Sequence, residues 1–362
     1  MASSEAAGPP TQGQWIHADL FGPSVPAGSR LTLGEGCTAL EPAEELGIAL
    51  GIPSLRLKRE DYSPTGSHKA RYLGYLCSLL VARGVRQAVI SSSGNAAIAA
   101  AAYASLGGIR LLSLVSPRTP RVKLERLRDY SQLTVISDHP VALLHHAVHN
   151  WGLADLRGSV NPLAPNAYRG IAQEFLLEEA ELAGVFLFSS SGAAALGLSQ
   201  GFAQLLEPAA RPQVHVVEGT PGGELTRPWY SSGSRSPADS GLGDLGSRRS
   251  RLAPAVRRAV RQSGGRGWRV GASDLEEVLD LGNRHGLSTS WEGIGALAAM
   301  RQSFSETGPG SGGSWVAILT GDSAQLALEP WQGGALPFPA AESASELDEL
   351  LIAGGFTRPP GP

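Results

Sequence analysis

The stretch QAVISSSGNAAIAAAAYASLGGIRLLSLV (87–115) carries the organisation of the whole chain. QAVISS (87–92) is a short apolar run with strand character. A Gly-Asn turn follows, then an Ala-rich helix that ends near Leu106. Gly107–Gly108 breaks that helix, and RLLSLV (110–115) is a second strand. Strand, helix and strand in about 30 residues make a βαβ unit, and such units build parallel sheets.

Outward from this unit the alternation continues. Pro120 opens a helix through VKLERLRDY (122–130), LTVI (133–136) is a third strand, and Pro140 to Trp151 a third helix. LRGSV (156–160) has the composition of a fourth strand. After residue 165 the pattern predicts a helix over 168–182, strand GVFLFS (184–189), a helix over 192–206 and strand QVHVVE (213–218). It then predicts helix 253–263, strand 267–271, helices 273–284 and 291–305, and strand WVAILT (315–320). Residues 1–15 have the Ser, Pro and Gly content of a flexible leader. Residues 219–252, rich in Gly, Ser and Arg, break the rhythm as a surface loop or linker. Beyond Pro330 the pattern fades, apart from a short helix over 342–352. No internal repeat is evident.

The chain has 362 residues, which points to about two domains. With 42% hydrophobic and 17% charged residues it can bury a sizeable core, and a net charge of −3 argues against nucleic-acid or anionic-membrane partners. No apolar run reaches the roughly 18 residues that a membrane helix needs. The N-terminal stretch lacks the basic start and apolar run of a signal peptide, and Cys37 and Cys77 make neither a disulfide framework nor a zinc site. A reduced, cytoplasmic setting is the expectation. Of the 30 basic residues only Lys58, Lys69 and Lys123 are lysine. Where arginine fills nearly every cationic position, a retained lysine points to chemistry that arginine cannot do.

GLGDLG (241–246) matches G-x-G-x-x-G in letters but has no strand before it, so a dinucleotide site is not expected there. His145 and His149 lie one helical turn apart without a third ligand, which reads as an exposed helix face rather than a metal site. PTGSHKAR (64–71) differs: Lys69 follows a Pro-Thr-Gly-Ser turn at the start of an apolar helix. A helix amino end disfavours an ammonium and favours the neutral, nucleophilic amine, although alone the segment could be an ordinary surface helix. SSSGN (91–95) and SSSGAAA (189–195) each join a strand to a helix. Both are either N-caps or anion cradles. A neutral lysine with two anion-binding junctions points to a phosphorylated aldehyde cofactor, pyridoxal 5′-phosphate (PLP).

These segments resemble, in order, the motifs of fold-type II PLP enzymes of the tryptophan synthase β family, nearest to threonine synthase and its relatives. LGEGCTAL (33–40) is similar to LGEGxTPL, PTGSHKAR to PTGSFKDR, and SSGNAAIAAAAYA (92–104) to STGN…AAYA. VKLERLRDYSQLTVI (122–136), the block from SGG (263–265) to Met300, and ILTGD (318–322) resemble further family segments. The resemblance implies an α/β fold of two three-layer αβα domains, with largely parallel sheets and the cofactor between them. A small domain of residues 70–160 would be inserted into a large one of 1–69 and 161–330, with 331–362 as a tail.

By the same resemblance Lys69 would carry PLP and serve as the catalytic base. Asn95, Ser190, Ser191, Gly192, Ala193, Ala194, Glu292 and Thr320 would bind the cofactor. Of these, Thr320 would meet the pyridine nitrogen with a neutral hydroxyl, which in the family accompanies side-chain elimination and replacement. Ser92, Ser93, Gly94, Asn95, Tyr168 and Arg169 would bind the substrate. Departures are His68 for Phe, Ala70 for Asp, a phosphate loop poor in Gly, and NAYRG (166–170) without the family's Lys-Thr. The last argues against O-phosphohomoserine as substrate. The implied activity is PLP-dependent lyase or β/γ-replacement chemistry on an amino acid with a side-chain leaving group, in a cytoplasmic homodimer without a metal. Serine/threonine ammonia-lyase and β-replacing synthase are the alternatives within this chemistry. A degraded, non-catalytic binding or regulatory protein is the alternative outside it.

Overall fold

A computed structural model describes residues 12–359 apart from 93, 180, 221–222, 231–248, 309–311, 328, 330 and 332–336. The GLGDLG segment and Ser93 therefore lie outside the described residues. The chain opens with β1 (Leu40–Pro42), α1 (Glu44–Leu50) and β2 (Leu55–Lys58). Through α2 (Lys69–Ala82) it passes into β3 (Gln87–Ser91), α3 (Asn95–Leu106), β4 (Arg110–Val115), α4 (Arg121–Arg128), β5 (Leu133–Ile136), α5 (Pro140–Trp151) and β6 (Ala154–Asp155). It returns through α6 (Arg169–Glu178), β7 (Leu182–Phe188), α7 (Ala193–Leu205), β8 (Gln213–Gly219), α8 (Ala253–Gln262) and β9 (Gly267–Val270). It ends with α9 (Ala272–Arg284), α10 (Trp291–Thr307), β10 (Ser314–Ile318) and α11 (Ala344–Ala353).

The strands form two sheets. The larger has the order β1-β2-β10-β7-β8-β9, the smaller β5-β4-β3-β6. All pairings are parallel except β1 with β2. The period-2 alternation of a strand explains the layering. In β7, Val185 and Leu187 point into one core, while Phe186 and Phe188 point into another beneath α9 and α10. The small sheet is sandwiched in the same way: Ala88 and Ile90 of β3 face α2 and α3, and Val89 faces α5. Two αβα layers result, and the helices α2 and α3 share one continuous core with α6 and α7 of the larger unit.

Several expectations change. LRGSV (156–160) is not a strand: pairing stops at Asp155, whose carboxylate takes the Arg157 N–H at 2.9 Å and turns the chain. Residues 13–15, expected to end a flexible leader, belong instead to a 3₁₀ helix over Gly13–Leu20. Gln14 is fully buried, donating to Glu35 Oε1 at 2.8 Å and to the Arg71 carbonyl at 2.9 Å. The last segment is more than a tail. Ala340 pairs with Ile136 at the small sheet, and Leu347, Leu351 and Phe356 close the core against α5.

One buried charge cluster braces the start of α2. The Arg71 guanidinium donates to Glu60 at 2.6–2.7 Å and to Glu174 at 2.8 Å, and Lys58 Nζ lies 2.9 Å from Glu174. Burial would raise the Glu174 pKa, but Arg71 and Lys58 outweigh it and hold the carboxylate at about 2.

Candidate active site

The Pro-Thr-Gly-Ser turn that presents Lys69 is pinned by the end of β10. Gly66 adopts φ +70°, and a Cβ there would fall 1.9 Å from Asp322 Oδ2, so only glycine fits. The Asp322 N–H donates to the Gly66 carbonyl at 2.9 Å, and Ser67 pairs with Gly321. The Ser290 N–H and the Thr289 hydroxyl both donate to the Gly321 carbonyl, which brings in the start of α10 and with it Glu292.

Lys69 begins α2 and lies deep in the protein, with its residual exposure toward a cavity of about 420 Å³. His68 fixes its amine. Because a carbonyl only accepts, His68 Nδ1–H donates to the Thr320 carbonyl at 2.9 Å, and the bare Nε2 accepts from Lys69 Nζ at 3.0 Å. Burial, followed by the neighbouring Lys69, keeps the His68 pKa well below its ordinary value and the ring neutral. Burial pushes the Lys69 pKa down to about 8, with Glu292 pulling weakly the other way.

Among the residues anticipated for the site, Ser92, Gly94 and Asn95 line the same cavity at the amino end of α3, and Ser190 and Ser191 line it below α7. Glu292 and Thr320 complete that wall. Gly192, Ala193 and Ala194 form the turn directly behind the two serines. Gly192 has φ +82°, and a Cβ there would meet Val256 at 2.6 Å. Ser189 Oγ accepts from the Gly192 N–H at 3.0 Å and Ser191 Oγ from the Ala193 N–H at 3.3 Å, so the serines stand where the helix dipole favours an anion.

Tyr168 and Arg169 are not brought to the cavity wall. Tyr168 is buried behind it, its ring 5.6 Å from that of His68, and Arg169 donates instead to Gln200 Oε1 and the Leu20 carbonyl. Ala70 is fully buried in the apolar core, so its departure from the family pattern leaves the cavity intact.

Residues not anticipated also face the cavity: Tyr72, Ser116, Lys123, Arg157 and Ser159. Arg157 is held by Asp155 through two nitrogens at 2.6–3.1 Å. The Ser250 hydroxyl donates to the Ser191 carbonyl at 2.6 Å, and the Arg251 N–H donates to that of Ser159 at 3.0 Å, closing the end of the cavity near Ser191. The scarcity of lysine and the family-like segment 122–136 drew attention to Lys123 in advance, but not to this cavity. His145 and His149 are exposed on α5, and Nδ1–H of His149 donates to the His145 carbonyl at 2.7 Å. His17, Cys37 and Glu174 place donor atoms within 4.8 Å of one another, but both Glu174 oxygens already accept from Arg71 or Lys58.

The family described as pyridoxal-phosphate dependent enzyme matches residues 31–321. The chain belongs to this family. PLP is its cofactor, and the cavity fits it: a depressed lysine amine at one side, and at another a helix amino end whose turn admits only glycine.

Two local matches add detail to this PLP-dependent enzyme. A stretch of 76 residues, 21% of the chain, is 40% identical to L-serine dehydratase/L-threonine deaminase of Mus musculus and covers 23% of that protein. Another of 85 residues, 24% of the chain, is 38% identical to threonine synthase of Halalkalibacterium halodurans and covers 24% of it. The aligned stretches thus span about a quarter of these curated relatives. Maize serine racemase superposes with a TM-score of 0.66 over 79% of this chain and 88% of that one, at 19% identity. Threonine deaminase isoform 2 of Solanum lycopersicum superposes at 0.65 over 91% and 90%, at 18% identity. At such identities these structures speak for the fold. No described helix is long and apolar enough to cross a membrane.

Proposed function

We propose that the protein is a lyase or β/γ-replacement enzyme acting on an amino acid with a leaving group on its side chain, similar in chemistry to threonine synthase and the serine and threonine deaminases. The observation that carries this reading is the Lys69 amine, open to the cavity, depressed to about 8 and held at 3.0 Å by a neutral histidine. PLP, when bound, supplies the electron sink that stabilises negative charge at the substrate Cα.

The chain's residues do the rest. The neutral form of the Lys69 amine would hold the cofactor through its aldehyde carbon and would serve as the base that takes the Cα proton. His68 cannot compete for that proton, since burial keeps it neutral and its Nε2 is committed to orienting Lys69. Ser190, Ser191, Gly192, Ala193 and Ala194 would hold the phosphate at the amino end of α7. Asn95, Glu292 and Thr320 would bind the rest of the cofactor, and Ser92 and Gly94 would receive the substrate carboxylate. Local likeness both to a dehydratase and to a synthase supports elimination and replacement as the reaction class.

The test is spectroscopic and then chemical. The protein incubated with PLP acquires a visible absorbance band that borohydride abolishes, and Lys69→Ala lacks it. An amino-acid panel that includes L-serine, L-threonine and L-homoserine esters then yields a 2-oxo acid with ammonia or a replacement product. Failure to take up PLP, or a band unchanged in Lys69→Ala, overturns the reading.

A further inference from the structure

Three basic side chains line the cavity, and two are accounted for. Arg157 is neutralised by Asp155, and Lys69 has the charge of Glu292 on the same wall. Lys123 is different. It is the third residue of α4, half-buried, and among the described residues its ammonium has no hydrogen-bond or ion-pair partner. Its stem packs across Gly94: a Cβ on that residue would sit 3.1 Å from Nζ, 3.3 Å from Cδ and 3.5 Å from Cε. The ammonium thus stands at the amino end of α3, where the helix dipole already favours an anion. A cation carried near the start of its own helix is electrostatically disfavoured until an anion joins it.

We propose that Lys123 is the counter-ion of the substrate's α-carboxylate, a specificity residue that makes the cavity select amino acids with a free carboxylate. The proposal rests on the function proposed above and assigns one of its contacts. Lys123 lies against Gly94 at the amino end of α3, whereas the serines expected to hold phosphate precede α7. The missing side chain of Gly94 lets the lysine lie this close, since a Cβ there would make the ammonium give by a few tenths of an ångström. Lysine suits the place because a compact ammonium fits against the loop where a planar guanidinium would spread beyond it.

The experiment uses the PLP-loaded protein and its Lys123→Met, Lys123→Gln and Lys123→Arg variants. Each is titrated with L-serine, L-threonine, their carboxamides and L-aspartate, following the cofactor absorbance to obtain apparent dissociation constants. An intact cofactor band in each variant reports a folded site. Expected is a loss of at least about tenfold for L-serine and L-threonine in the Met and Gln variants, the scale of a charge-assisted hydrogen bond. Binding of the carboxamides is unchanged, and Lys123→Arg recovers part of the loss. Equal weakening of acids and amides, which a packing role gives, overturns the proposal, as does no weakening at all. Weakening confined to L-aspartate assigns Lys123 to a side-chain acid and overturns it too. A wild-type protein that responds to none of the compounds overturns the functional reading along with it, and that failure is visible before any variant is made.

Discussion

The role proposed for Lys69 rests on one buried amine, whose environment makes a measurable claim. Its pKa in the fold is about 8, against about 10.4 in an unfolded chain. Between those values the unfolded state binds more protons, so stability rises with pH. The cofactor-free protein therefore gains resistance to urea from about pH 8 toward pH 10, relative to Lys69→Met, in which that gain is absent. Parallel curves for the two proteins would refute it. The three lysines also explain their own retention. Lys58 is fully buried against Glu174, Lys69 offers its amine to His68 at the cavity, and Lys123 crosses Gly94. All three fall in segments legible in sequence. The environment of the third was not, because Gly94 and Lys123 meet only when α3 and α4 stand side by side.

At the scale of elements, packing is set by close approach as much as by apolar faces. α7 lies against the 3₁₀ helix Ala164–Tyr168, where a Cβ on Gly197 would come 2.0 Å from the Pro165 carbonyl. Backbone cannot yield as a flexible side chain can. Gly197→Ala should destabilise the fold by about 1–3 kcal/mol, read from its urea midpoint, despite the higher helix propensity of alanine. A neutral or stabilising result would show that α7 can shift freely. The strand–helix order from β3 to β10 was legible because each element carries its own period and its own breakers. β6 was misplaced because LRGSV has strand composition, while the Asp155 carboxylate that ends the strand acts through a side-chain bond. β1, β2 and α1 carry too few residues for periodicity to reveal them.

For the whole molecule, the two units are joined near the site and again at the end of the chain. Arg126 of α4 donates to Asp322 at 3.0 Å and to the Thr65 carbonyl at 2.9 Å, tying the small unit to the turn before Lys69. The bridge is partly exposed, so it orients more than it stabilises. The larger contribution comes from α11, whose Leu347 is fully buried against the small sheet. Leu347→Ala should cost about 2–5 kcal/mol and quicken amide exchange in β4 and β5. If exchange there is unchanged, α11 is an appendage rather than part of the core.

The sequence by itself determined the α/β class, the order of most elements and the turn that carries Lys69. These rest on local physics: side-chain period, glycine at positive φ, and a lysine at a helix start. The tertiary structure alone decided which strands pair, that the chain's end completes the small core, and that Tyr168 and Arg169 stand away from the cavity wall. It also decided that Lys123 and the Arg157–Ser159 loop face Lys69 across one cavity. Those outcomes depend on segments far apart in the chain meeting through burial and charge, and no local pattern encodes such a meeting.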